Sequence, residues 1–100
     1  MGQPQLQSLL ESVLGSRNVY FQPPPNIQMA YPAIVYKLDY AVTQFADDYP
    51  YTFSKRYQVT AIDRNPDSQL LDKLARLQKS TFNRSFQADG LNHFVFNIYF

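Results

Sequence analysis

The sequence has no cysteine and no tryptophan, one histidine and three glycines. Without cysteine there is no disulfide, no thiolate nucleophile and no thiolate-held zinc, which excludes thiol redox chemistry and suits a reducing cytoplasm. A lone imidazole, His93, cannot supply the histidine pairs that hold catalytic zinc, so no metal is expected. Gly2, Gly15 and Gly90 lie far apart, which leaves no glycine-rich loop to cradle a phosphate and no expected cofactor. Charge of one sign is also missing. Nine Lys and Arg against eight Asp and Glu leave a net charge of +1, too little to draw in nucleic acid or an anionic membrane. No apolar run approaches the roughly 18 residues of a membrane span, and MGQPQLQ lacks the basic and apolar regions of a secretory signal. Synthesis in the cytosol is the expectation.

What the chain does have is rings: eight Tyr and eight Phe make 16% of its 100 residues. A chain of this length buries only about 60–65% of its unfolded surface, so a single domain with one core is expected. So many rings exceed what one small core needs, and Tyr in particular suits surfaces half-buried against partners.

Catalytic candidates are thin, and no enzymatic activity is expected. His93 reads as a surface or rim residue beside Asn92. Asp47 and Asp48 are adjacent, so on extended backbone they point apart and cannot act as an acid–base pair. Five of the nine basic residues fall between Arg64 and Arg84, where helix-dipole pairing and an Asp72 to Arg76 contact account for most of them. The rings of HFVFNIYF superficially invite comparison with RNA-stacking sheets. Leu91, Asn92 and His93 nevertheless stand where such a motif needs a basic residue and a glycine, and the element order differs.

Periodicity supplies the expected elements. Leu6, Leu9, Leu10, Val13 and Leu14 form one helical stripe, with Pro4 suited to the first turn and Gly15 to a left-handed stop. Arg17 to Gln22 reads as a short strand ended by PPPN, since prolines donate nothing to a ladder. Ala33 to Tyr40 and KRYQVTAID alternate with a two-residue period and are expected to pair antiparallel. Between them, QFADDYPYTFS reads as a long hairpin loop. Asn65 as N-cap, Pro66 as first helical residue and Asp67 behind it mark a second helix, with Leu70, Leu71, Leu74 and Leu77 as its buried stripe. TFNRSFQA and NHFVFNIYF follow as strands joined through Asp89-Gly90, a favoured hairpin turn. The expected fold is α+β: a mostly antiparallel sheet of four or five strands with both helices packed on one face.

In the last strand Phe94, Phe96, Ile98 and Phe100 share the core side, which puts His93, Val95, Asn97 and Tyr99 opposite. A sheet with one wet face should be polar there; this row is partly apolar, so either the long loops fold back over it or another molecule does. VYFQPPPNIQMAYPAIVY, from Val19 to Tyr36, holds four prolines and four aromatics, too many for a helix or a continuous strand. It reads either as a plain crossover or as a stiffened arm whose Asn26, Gln28, Met29 and Tyr31 meet a partner. The Gln44 to Ser54 loop is the stronger contact candidate, because Asp47, Asp48, Tyr49, Tyr51 and Phe53 combine reach, charge and rings.

The segments NVYFQPPPNIQMAYPAIVYKLDYA, KRYQVTAIDRNPDSQLLDKL and DGLNHFVFNIYF, in this order, resemble the small tail completion proteins of long-tailed bacteriophages and prophages, the tail terminator or head-to-tail joining family. The likeness covers nearly the whole chain. It implies an α+β subunit of the virion, made in the bacterial host cytoplasm, that caps the tail tube, stops its growth and faces the head connector. Its partners would be the tail tube protein, the head completion or connector protein, and further copies of itself in a ring, commonly of six. A small soluble adaptor module is the alternative, and an RNA-binding sheet a more distant one.

Overall fold

The computed structural model describes residues 3–24, 28–46, 49–65, 67–77 and 79–100. In chain order the elements are α1 (Gln3–Leu14), β1 (Val19–Phe21), β2 (Ala33–Ala46), β3 (Tyr49–Asp63), α2 (Gln69–Ala75), β4 (Ser80–Ala88) and β5 (Leu91–Tyr99). The strands form one sheet in the order β1-β2-β3-β5-β4. Only β1 and β2 run parallel; every other neighbouring pair is antiparallel. This is the expected α+β architecture.

The inner face follows from side-chain alternation. Val19, Ile34, Ala61 and Phe94 form one row across β1, β2, β3 and β5, and Tyr36, Val59 and Phe96 form the next, with Tyr57 and Ile98 beyond. Leu6 and Leu10 of α1 and Leu70 and Leu74 of α2 press on these rows, flanked by the partly buried Leu9, Val13, Leu14, Leu71, Leu77 and Phe100. Each helix therefore buries the stripe that its leucine spacing predicts. One polar device ties α1 to the sheet: the Tyr36 hydroxyl donates to Gln7 Oε1, while Gln7 Nε2 donates to the Val19 carbonyl at 3.0 Å and to Glu11 Oε2 at 2.9 Å. A buried phenol keeps its hydrogen bond in this way, and β1 is held beside β2.

The connections are local chemistry. Gly15 (φ +80°) closes α1, its N–H donating to the Glu11 carbonyl. Asp89 and Gly90 both have positive φ, 52° and 73°, as a type I′ turn requires, so the β4–β5 hairpin forms where the dipeptide predicts. The start of α2 differs from expectation. Its N-cap is Ser68, whose Oγ accepts from Leu70 N at 3.2 Å, and not Asn65. Asn65 instead spends its side chain on an Asx turn, Oδ1 accepting from Asp67 N at 3.0 Å, and Pro66 lies outside the described residues. Beginning the helix three residues later brings Leu70 and Leu74 inward.

The largest correction concerns QFADDYPYTFS. Most of it is strand: β2 runs on to Ala46 and β3 starts at Tyr49, so the long loop is the far end of a long hairpin.

The reassigned cap is testable by urea unfolding. Ser68→Ala should cost about 1 kcal/mol, the usual penalty for a lost N-cap, and Asn65→Ala clearly less. Equal costs would return the cap to Asn65.

Candidate protein-interaction site

β1 pairs with β2 only from Ile34 to Tyr36, and the Gln22 side chain extends this edge by one bond, Oε1 accepting from Leu38 N at 3.3 Å. On the other side, β5 follows β3 no further than Tyr99 opposite Arg56, after which Phe100 N donates to the Lys55 carbonyl at 3.0 Å. Beyond these points β2 and β3 pair only with each other, from Ala41 opposite Lys55 to Ala46 opposite Tyr49. At 3.3–3.4 Å per residue this two-stranded ribbon is about 20 Å long. It accounts for the elongated outline, 52 × 27 × 23 Å.

The two edges of the ribbon are unequal. On the β3 side, Tyr51 is the extra residue of a bulge between the Gln44–Thr52 and Phe45–Pro50 pairs, and Pro50 has no N–H to offer. Bulges and prolines are standard protection for an exposed strand. The β2 side, AVTQFA over 41–46, has no bulge, proline or charge. At the base, Asp39 is the extra residue of a second bulge, and Arg56 Nη2 and Nε reach its Oδ2 at 2.9 and 3.0 Å. The guanidinium also lies 5.2 Å from the Tyr40 ring centroid. Donation to the Tyr99 hydroxyl first, and then Asp39, raise the Arg56 pKa above its ordinary value against the opposing pull of burial.

The opposite sheet edge is β4. Every one of its residues after Ser80 is exposed, and β5 is its only partner strand. Phe82 and Phe86 stand 48% and 44% exposed there, and Leu38 and Tyr40 are similarly exposed at the ribbon's root. Asn83 is the extra residue of a bulge, beyond which 84–88 pair regularly with β5. Phe86 stacks on His93 at 4.6 Å and 11°, and Arg84 lies 5.8 Å from the Phe86 centroid. His93 is the rim residue that its position suggests.

The outer sheet face is partly covered by the chain itself. Ile62 and Val95 are buried although they lie opposite the helices. Pro23, Pro24 and Met29 line a groove over this face with Val35, Ile62 and Val95. Pro23, Pro24 and Met29 of the segment joining these two parallel strands thus lie against the face that the helices leave open.

Of the expected contact residues, Asp47, Asp48 and Asn26 lie outside the described residues. Tyr49, Tyr51 and Phe53 belong to the ribbon strand β3 and not to a loop. Gln28 is exposed, Met29 is half-buried in the groove, and half-buried Tyr31 precedes a cis bond to Pro32. β3 thus holds Tyr49, Tyr51 and Phe53 on one strand, while Met29 lines the groove over its own sheet. Sequence reasoning missed Leu38, Tyr40 and the whole of β4. The available signal was TFNRSFQA itself, whose rings are separated by polar residues on both faces, as in a strand with neither face fully covered. Among the described residues no cluster of His, Asp and Glu could hold a metal, and no helix is long and apolar enough to cross a membrane. Comparison with protein-family models, with characterised proteins and with solved structures finds no match.

A two-stranded ribbon without further support is marginal in water. Amides of 41–46 and 51–54 should therefore exchange with deuterium on the order of a hundredfold faster than those of Val59, Ala61 and Phe96. Equal protection in the isolated chain would mean that the ribbon is packed.

Proposed function

We propose that this chain is a structural virion protein of the tail completion kind, which closes the end of a bacteriophage tail tube, stops its growth and presents a surface to the head connector. The observation that carries the assembly part of this reading is the ribbon with its bare β2 edge, set against an exposed β4 at the far side of the sheet. These are unpaired backbone rims, and a rim draws its affinity from main-chain hydrogen bonds to another protein. The tail assignment rests on the sequence segments that resemble the family; they cover β1, the arm, most of β2, the covered part of β3, α2 and β5. In this reading the protein performs no chemical step and acts by binding alone. A ring on the tube end gives each copy neighbours on both sides, the tube beneath and the connector above.

Deleting the chain from its phage should yield tails of uncontrolled length beside unjoined heads, both visible in electron micrographs. Purified protein should decorate the ends of isolated tail tubes. Normal infectious particles after deletion would remove the reading. Capture of soluble partners with no attachment to tubes would favour a small adaptor.

A further inference from the structure

We propose that Arg56 is a positioning residue for the ribbon: its guanidinium braces the row at which the sheet narrows to two strands, and so fixes the direction in which the ribbon leaves the body. Without the brace, the bulge at Asp39 becomes a hinge.

Position is the first reason. Arg56 stands opposite Tyr40 of β2 and Tyr99 of β5, and Tyr99 is the last residue that β5 pairs with β3. Among the described residues, and apart from the bond of Phe100 to the Lys55 carbonyl, the ribbon beyond this row is attached through β2 and β3 alone. The bulge at Asp39 immediately precedes it. A bulge bends and twists its strand, and a two-stranded ribbon has no third strand to resist the bend. Stiffness at this joint therefore has to come from side chains.

Chemistry is the second. Arg56 Nη2 and Nε donate to a single oxygen, Asp39 Oδ2, at 2.9 and 3.0 Å, so the bulged residue itself is held. The same guanidinium lies 5.2 Å from the Tyr40 ring centroid and donates to the Tyr99 hydroxyl. One side chain of β3 thereby grips β2 and β5, the three strands that meet at the joint. An arginine fork can serve a carboxylate, a phenol and a ring at once, whereas the point charge of a lysine does not fix the same angles.

Energy separates bracing from plain stabilisation. The Arg56 and Asp39 side chains remain 32% and 29% exposed, and a pair that wet adds little to global stability. Tyr40 and Tyr99 are exposed as well, so neither ring belongs to the core. The effect of the cluster therefore falls on the ribbon's orientation and hardly on the unfolding midpoint.

The brace needs no partner and does not depend on the tail reading, so the isolated protein tests it. Because the chain has no cysteine, spin labels can be placed cleanly. Thr43→Cys with Asp72→Cys spans ribbon and body, while Gln87→Cys with Asp72→Cys lies within the body, Asp72 and Gln87 both being exposed. Both distances are read by double electron–electron resonance, and the parent should give a narrow ribbon–body distribution. Arg56→Gln and Asp39→Asn should each broaden it about twofold, and Arg56→Lys and Tyr99→Phe less, with the within-body distance and the urea midpoint little changed. A parent distribution already as broad as that of Arg56→Gln would overturn the proposal, as would an Arg56→Gln distribution as narrow as the parent's. Broadening of both distances, or a large fall in the midpoint, would also overturn it, because Arg56 would then support the body and not the joint.

Discussion

The structure depends on a mismatch of strand lengths. β2 and β3 pair over 14 and 15 residues, while β1 has 3 and β4 and β5 have 9 each. Helices can bury a sheet only where it is several strands wide, so both helices sit over the wide end and the narrow end has nothing beneath it. The division between a stable body and an exposed ribbon is set by where β1 and β5 stop. Each stop is chemical: the Gln22 side chain and the prolines after it end β1, and Phe100 makes the last bond beside β5.

Within the body, the two faces of the sheet solve different problems. The inner face takes leucine from the helices and rings from the strands, and Tyr36 sits among them with no exposed surface because Gln7 satisfies its hydroxyl. The same glutamine holds the Val19 carbonyl, so one side chain fixes helix, parallel strand and central strand together. Parallel neighbours need a connection that crosses a face, and the inner face is occupied. The chain between β1 and β2 must therefore cross the outer face, and a helix is denied to it by prolines. Pro23 and Pro24 also cannot prolong β1, which keeps that strand short and leaves the β2 edge open further along.

The leucine stripes, the inward row of β5, the Asp89-Gly90 turn and the antiparallel β2–β3 pair were legible because each rests on a local period or on a dipeptide with a fixed backbone demand. The parallel setting of β1 was not, since three residues carry no directional information. Asn65-Pro66-Asp67 imitates a helix start because a residue that caps a helix also makes an Asx turn; the decision fell to where Leu70 and Leu74 had to point, a tertiary matter. The ribbon was hidden by its own protection. Two carboxylates and a proline within five residues read as loop, yet Pro50 on a free edge breaks no ladder bond, and the remaining AVTQFA and YTF have the ringed and β-branched character of strand. Of the site, the sequence marked Tyr49, Tyr51 and Phe53 through composition; it could not mark β4, whose significance is its place at the end of the strand order.

That place also bears on why such edges can persist. A net charge of +1 provides almost no mutual repulsion between copies, so a bare strand edge in this chain is not kept apart by charge alone. Bulges at Tyr51 and Asn83, together with Pro50, interrupt the rim, and among the described residues 41–46 of β2 and 84–88 of β4 keep regular edge stretches. The first carries no charge, and the second carries Arg84. An edge protected everywhere would describe a monomer, and one protected nowhere an aggregate. Protection interrupted at a few stretches instead limits where another strand can meet this sheet, through backbone geometry.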